Sequence, residues 1–343
     1  MSRSQHRHAT QELFADPFGE QCAAPAVRRL QVLGARVQFE TRSPQLLELV
    51  DAAYAGLPRH RLSASPPRLR VGLLLVPGAR SRPNPPAPVM FSAGGLLVGA
   101  ARSGALVVVS PGERTALVAV PAELLHFPYH VRYELLEFAV FTLAARVQRL
   151  IPLHAACIGR REDGLLLMGP SGSGKSTLAL QCLLEGLEFL SEDSVFLTPD
   201  TLLATGVANF LHVRADSLRW LGEPRAAALI RASPVIRRRS GVSKFELDLR
   251  DSGYPLAARA LKIRAIVFLS AHRARKGPLL RRVPRSRIVA RLVSLQSYAA
   301  GHPNWEAFSG NAARLEAFEL RRGRHPRDGV AALRELLRPR ARV

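Results

Sequence analysis

LLLMGPSGSGKST, residues Leu165 to Thr177, decides the reading of this chain. It reads as a short apolar strand, a glycine-rich loop and the opening of a helix. Gly169, four intervening residues, Gly174, Lys175 and Ser176 satisfy the phosphate-loop pattern G-x-x-x-x-G-K-[ST]. Backbone N–H groups wrap a polyphosphate only where side chains leave room, so glycines sit where the loop turns tightly. The following helix aims its N-terminal dipole and unpaired N–H groups at the anion. Gly169, Ser171, Gly172, Ser173, Gly174, Lys175, Ser176 and Thr177 are therefore the candidate nucleotide-binding residues. Lys175 offers a mobile charge to the β and γ phosphates, and the Ser176 hydroxyl offers a ligand to Mg²⁺. The competing reading is a chance match in a flexible loop. Leu165–Met168 as a buried strand, Thr177–Glu185 as a helix and Gly186 as its C-cap weigh against it.

Outward from the loop, 343 residues predict two domains, or one large domain with an appended subdomain. An apolar content of 47% belongs to a globular protein. No apolar run approaches a bilayer span, and the first residues hold no apolar core of a secretory signal. Cys22, Cys157 and Cys182 form no C-x-x-C pair and read as reduced thiols, so a cytoplasmic protein is expected. The net charge of +22 is nearly all arginine, since only Lys175, Lys244, Lys262 and Lys276 are lysines. Arginines cluster at Arg237–Arg239, at 281–287 and at 321–324, with few aromatics beside them. That argues against a stacking platform for nucleic acid.

Residues 1–30 read as a polar tail in which His6 and His8 are solvated. Residues 31–149 read as a smaller β-rich domain, with strands at 36–40, 69–76, 96–100, 105–110 and 115–120 and a capped helix from Ser43-Pro44 to about Ala55. Arg80–Pro88 is a Pro-rich loop. An amphipathic helix over 130–149 links this domain to a catalytic domain at 150–340. There, Leu153–Ile158 and Leu165–Met168 flank GRREDG and predict a hairpin. A doubly wound nucleotide fold would place a crossover helix between parallel strands instead. Further strands are expected at 187–190, 195–198, 210–213, 245–249, 263–269 and 279–283, and helices at 285–299 and 326–337. Ala313–Arg322 is ambiguous and leans to a strand.

Phosphoryl transfer needs an acid for Mg²⁺ and a group to receive the acceptor's proton. AIVFLS at Ala265–Ser270 ends in serine, so the acids are sought earlier. Glu192 and Asp193 close the strand expected after the loop helix, next to the loop strand. Ser-Glu-Asp-Ser is also a turn composition. His154 lies in an apolar strand, where a hydrogen-bonded core histidine competes with a catalytic one. Lys244 is either a phosphate contact or a surface cation.

LHAACIGRREDGLLLMGPSGSGKSTLALQCLLEGLEFLSEDSVFL resembles the catalytic domain of the HPr kinase/phosphorylase family. His154 stands 21 positions before Lys175, and Glu192 and Asp193 stand 17 and 18 after it, which matches that family's spacing. The resemblance is specific over about 150–198 and weaker in FELRRGRHPRDGVAALREL. Within the family the chain is most similar to HPr-kinase-related proteins encoded with peptide natural products, including lasso-peptide tailoring kinases. It implies an α/β P-loop kinase domain of the HPr kinase C-terminal, phosphoenolpyruvate-carboxykinase-like type. It implies ATP on Gly169–Thr177, Mg²⁺ organised by Ser176 and Glu192, Asp193 as base and His154 beside the transferring group. Pro170, Thr177 and Glu192 depart from the sugar-control enzymes, which carry Asp, Glu and Asp there. The downstream signature of phosphorolysis is missing, and the first 150 residues do not resemble the regulatory domain.

The expectation is an ATP- and Mg²⁺-dependent kinase acting on a serine of a peptide or protein, with a homo-oligomer suggested by family analogy. The alternatives are a small-molecule hydroxyl kinase, an Arg-rich nucleic-acid-dependent ATPase and a nucleotide-binding regulator without turnover.

Overall fold

Alternation builds the first sheet. In β3 (Arg68–Val76) Leu69, Val71 and Leu73 are buried while Arg68 and Arg70 face solvent, the period-two pattern of a sheet with one wet face. The computed structural model describes residues 24–78, 87–274 and 277–338. His6, His8, Cys22 and Arg80–Pro86 of the Pro-rich stretch lie outside the described residues.

With β1 (Ala26–Val32), β2 (Ala35–Thr41), β4 (Val89–Ala93), β5 (Leu96–Ala100), β6 (Leu106–Ser110) and β7 (Thr115–Pro121), β3 forms a seven-stranded sheet in the order β1-β2-β3-β7-β6-β5-β4. The β2/β3 and β3/β7 pairs are parallel and the others antiparallel. α1 (Pro44–Tyr54) joins β2 to β3, its N-terminus capped by the Ser43 hydroxyl. Phe39 stacks on Tyr54 at 5.7 Å in the core beneath.

Part of the expected polar tail is β1, since Ala26–Leu30 pair with β2. Leu33 and Gly34 both take positive φ, the conformation of a two-residue turn that matches strand twist. An edge strand needs little apolar content, so AVRRLQV carried no strong strand signal.

The linking helix is not uniform. An α-helical turn at Pro128–His130 is followed by a π-helical turn at Val131–Leu136 and then α2 (Glu137–Gln148). Arg149, at φ 58°, ends it. Val131, Leu135, Leu136, Ala139, Val140 and Leu143 pack on the first sheet.

The second sheet holds the phosphate loop. β9 (Ala156–Arg160) and β10 (Asp163–Met168) form the expected antiparallel hairpin, and β10 runs parallel to the 13-residue β17 (Leu261–Arg273). The order is β11-β9-β10-β17-β13-β12-β8, with β19 (Glu316–Arg322) parallel to β17 and paired with β18 (Leu280–Arg282). Here β8 is Ile151–Leu153, β11 Glu188–Ser191, β12 Val195–Leu197 and β13 Leu203–Gly206. α3 (Lys175–Leu184) follows the loop and packs against the last helix, Pro326–Leu336. A three-stranded sheet, β14 (Phe210–Val213), β16 (Ser243–Asp248) and β15 (Val235–Arg237), stands beside it. Ala313–Arg322 resolves to β19, while helices at Pro224–Ala232 and Trp305–Ala312 carried no sequence expectation.

Two expectations are corrected. The strand ending in the acidic pair does not lie next to β10, because the hairpin puts β9 on that side and β11 pairs with β9. Leu153–Ile158 is not one strand. β8 pairs with β12, β9 with β10 and β11, and His154 falls between them. The reason is local: the Gln296 side chain accepts from the His154 backbone N–H (2.8 Å) and donates to its carbonyl (3.1 Å), so neither group joins a ladder.

The two parts share polar contacts as well as the linking helix. Asn209 donates to the Ala53 carbonyl at 2.8 Å, and His60 bridges Thr205 and the Ala257 carbonyl at 2.8 and 2.9 Å. Among the described residues no helix is long and apolar enough to cross a membrane.

Candidate active site

The loop leaves β10 at its C-terminal end and enters α3 through Gly174, whose φ of 100° a side chain would resist. At Gly169 a Cβ would come within 2.7 Å of the Ser173 hydroxyl, so this turn also requires glycine. Ser173 Oγ is buried and has no partner among the described residues. A loop of close-packed glycines with an unsatisfied hydroxyl, set on the start of a ten-residue helix, fits a polyphosphate. Lys175 is 7% exposed, and its ammonium donates to the Gly169 carbonyl at 2.8 Å. Burial lowers its pKa, and the charges of Asp193 and Glu192 oppose that shift. Thr177 bonds the Ser217 hydroxyl at 3.0 Å.

His154 and Asp193 meet across the break between β8–β9 and β11–β12. Leu153 opposes Val195 on one side of the break and Cys157 opposes Ser191 on the other. Between these pairs His154 Nδ1 lies 2.7 Å from Asp193 Oδ1, and Arg238 lies 3.5 Å from Oδ2. Burial works against the charge of Asp193. The His154 hydrogen bond and the charges of His154, Arg238 and Lys175 outweigh it and hold the carboxyl well below the usual range.

Glu192 is turned differently. Its Oε1 accepts from the His212 backbone N–H at 3.0 Å and lies 2.6 Å from His212 Nδ1, while its buried Oε2 has no partner. His212 Nε2 lies 3.0 Å from the Tyr133 hydroxyl and 3.5 Å from Glu246, which pairs with Arg132 at 2.6 Å. Burial opposes charge on His212, but the bonds to Glu192 and Glu246 raise its pKa. This network joins the π turn to the small sheet.

Lys175, Ser176, Asp193, His154, His212, Arg238 and Lys244 share one cavity of about 470 Å³. Glu192 lines a neighbouring cavity of about 450 Å³, which Asp193, His212 and Arg238 also line. The structure thus places Asp193, rather than Glu192, in the same cavity as Ser176. Lys244 is half-buried, and burial lowers its pKa. Arg273, Arg321, Arg322 and Arg324 line the far side of the loop, so the last arginine cluster faces the cavity. Among the described residues no three His, Cys, Asp or Glu side chains could hold a metal together. Mg²⁺ that arrives with phosphates asks for less: one or two side chains. The Ser176 hydroxyl offers one such ligand in the loop cavity, and the unpartnered Glu192 Oε2 offers another from the adjoining cavity.

His212, Arg238, Glu246 and Gln296 escaped the sequence reading. One signal existed. Lys244, Glu246 and Asp248 alternate with Phe245 and Leu247, so three charged residues share one face of β16, and Glu246 opposes His212.

No family model matches the chain, and no curated protein matches it. Among solved structures, the HPr(Ser) kinase/phosphatase from Coxiella burnetii aligns over 54% of this chain and 94% of its own, at 13% identity and a TM-score of 0.28. A superposition of that size carries no argument about activity.

Proposed function

We propose that this protein is an ATP- and Mg²⁺-dependent kinase that transfers the γ-phosphoryl group to a hydroxyl, a serine of a peptide or protein. One observation carries the reading: Lys175 at the start of the loop helix and the His154–Asp193 pair line the same cavity. Phosphoryl transfer asks for little covalent chemistry and much positioning and charge neutralisation. The loop N–H groups and Lys175 would bind the β and γ phosphates. Ser176 and Glu192 would hold Mg²⁺, which when bound neutralises charge on the phosphates. The His154–Asp193 pair would orient the acceptor hydroxyl and take its proton.

Labelled ATP incubated with serine-containing peptides tests this. Transfer to a serine, located by mass spectrometry and lost in Lys175→Ala, is the expected result. ATP turnover that rises with added DNA or RNA and collapses with salt would favour the nucleic-acid-dependent ATPase. Binding of ATP with no transfer to any acceptor would favour the regulator.

A further inference from the structure

We infer that His154, through Nε2, is the group that takes the acceptor's proton, and that Asp193 orients the imidazole instead of acting as base itself. The inference rests on the kinase reading and deepens it. Both oxygens of Asp193 are engaged, Oδ1 by His154 Nδ1 at 2.7 Å and Oδ2 by Arg238 at 3.5 Å. Donors facing both oxygens compete with an acceptor hydroxyl for the carboxylate's remaining lone pairs. The imidazole keeps one ring nitrogen open. A carboxylate facing Nδ1 makes that nitrogen the N–H, which leaves the lone pair on Nε2. No described residue bonds Nε2, and the His154 side chain is 44% exposed.

The surroundings support the same assignment. His154 sits on the wall between the cavity of the phosphate loop and a third cleft of about 890 Å³ lined by Tyr133, Phe138, Phe141 and Tyr298. Nucleotide and acceptor can therefore approach it from different sides. The almost fully buried Gln296 grips its backbone N–H and carbonyl, and Tyr298 donates to the Gln296 side-chain oxygen at 3.0 Å. A base needs that fixed placement. Held against Nδ1, Asp193 is placed to stabilise the imidazolium that forms when Nε2 takes the proton, the division of labour in a carboxylate–histidine pair.

In the step itself, the acceptor oxygen forms a bond to the γ-phosphorus and its proton passes to Nε2. The bond from phosphorus to the β–γ bridging oxygen breaks, and its electron pair leaves on ADP. His154 ends as an imidazolium beside Asp193.

Long-range ¹H–¹⁵N spectra of the histidine-labelled full chain read the tautomer directly, with His154→Asn assigning the signal. Protonated Nδ1 with bare Nε2 near pH 8 is expected. The opposite tautomer, or an imidazolium persisting at pH 8, overturns the inference whether or not the chain is a kinase. In transfer assays His154→Asn keeps a donor toward Asp193 but lacks the base, so kcat should fall about 10²–10⁴-fold with the KM for ATP unchanged. Asp193→Asn, which keeps the base and loses only its partner, should slow transfer less than His154→Asn does. A near-normal rate in His154→Asn, with a limb below about pH 4.5, would return the proton to Asp193. Wild-type protein that transfers to no acceptor, water included, removes the kinase reading and the proton's destination with it; the tautomer still decides how the pair is oriented.

Discussion

The seven-stranded sheet and the sheet behind the phosphate loop draw on the same alternating apolar residues, yet only the first keeps its ladders unbroken. β3 and β7 stay in register from Arg70↔Thr115 to Val76↔Pro121. The second sheet shifts register between Gly164 and Leu165, between Phe189 and Ser191 and between Leu269 and Arg273, and it opens altogether around His154. Continuous pairing satisfies the backbone and buries side chains, and no proposed site residue lies on those strands. Where pairing stops, backbone groups need other partners and side chains leave the pleat. His154, Glu192 and Asp193 all lie in such a gap. The intact sheet is packed for stability, and the residues proposed for chemistry collect at the interruption.

Lys175→Ala gives the largest contrast. Transfer should fall about 10³-fold or more, roughly 4 kcal/mol, with little change in unfolding midpoint. A thermally crippled variant would show that loop and core are not separable. Phe39→Ala tests the converse, costing about 3–5 kcal/mol in denaturant unfolding while the remaining folded protein keeps its ATP affinity. Arg132→Met crosses the divide, because it takes the closer partner from the buried Glu246 carboxylate and leaves it only His212; a loss of about 3 kcal/mol is expected. Glu137 sharpens the comparison through pH. Burial pushes its carboxyl up to about 8, against the pull of His212 and Arg132. Between about pH 4.5 and 8 the unfolded chain is ionised there and the folded chain is not, so stability falls as pH rises, by at most about 1.4 kcal/mol per unit. Melting curves from pH 5 to 8 should flatten in Glu137→Gln. Least affected should be Phe91→Ser on the edge strand β4, where Phe91 is 52% exposed: a shift within about 0.5 kcal/mol.

What the sequence disclosed follows the same division. The loop, its helix and the hairpin before it were legible because local composition dictates them: glycines at turns, apolar runs, Arg161-Glu162 between two strands. The first sheet was legible from alternation, apart from its polar edge strand. The opening at His154 was not, because what holds it is an amide 142 residues away. The orientation of Glu192 was hidden likewise, since His212 reaches it only through the pairing of β14 with β16. Partners set by long-range topology leave no local trace.

The π turn at Val131–Leu136 has a practical consequence for anyone exchanging modules between proteins of this kind. Its wider winding lets one short segment give apolar side chains to the first sheet while Arg132 and Tyr133 reach Glu246 and His212. A chimera cut at residue 149 would attach a foreign polar face to the loop region. The workable splice lies before Pro128, so that the whole helix travels with the residues it touches downstream.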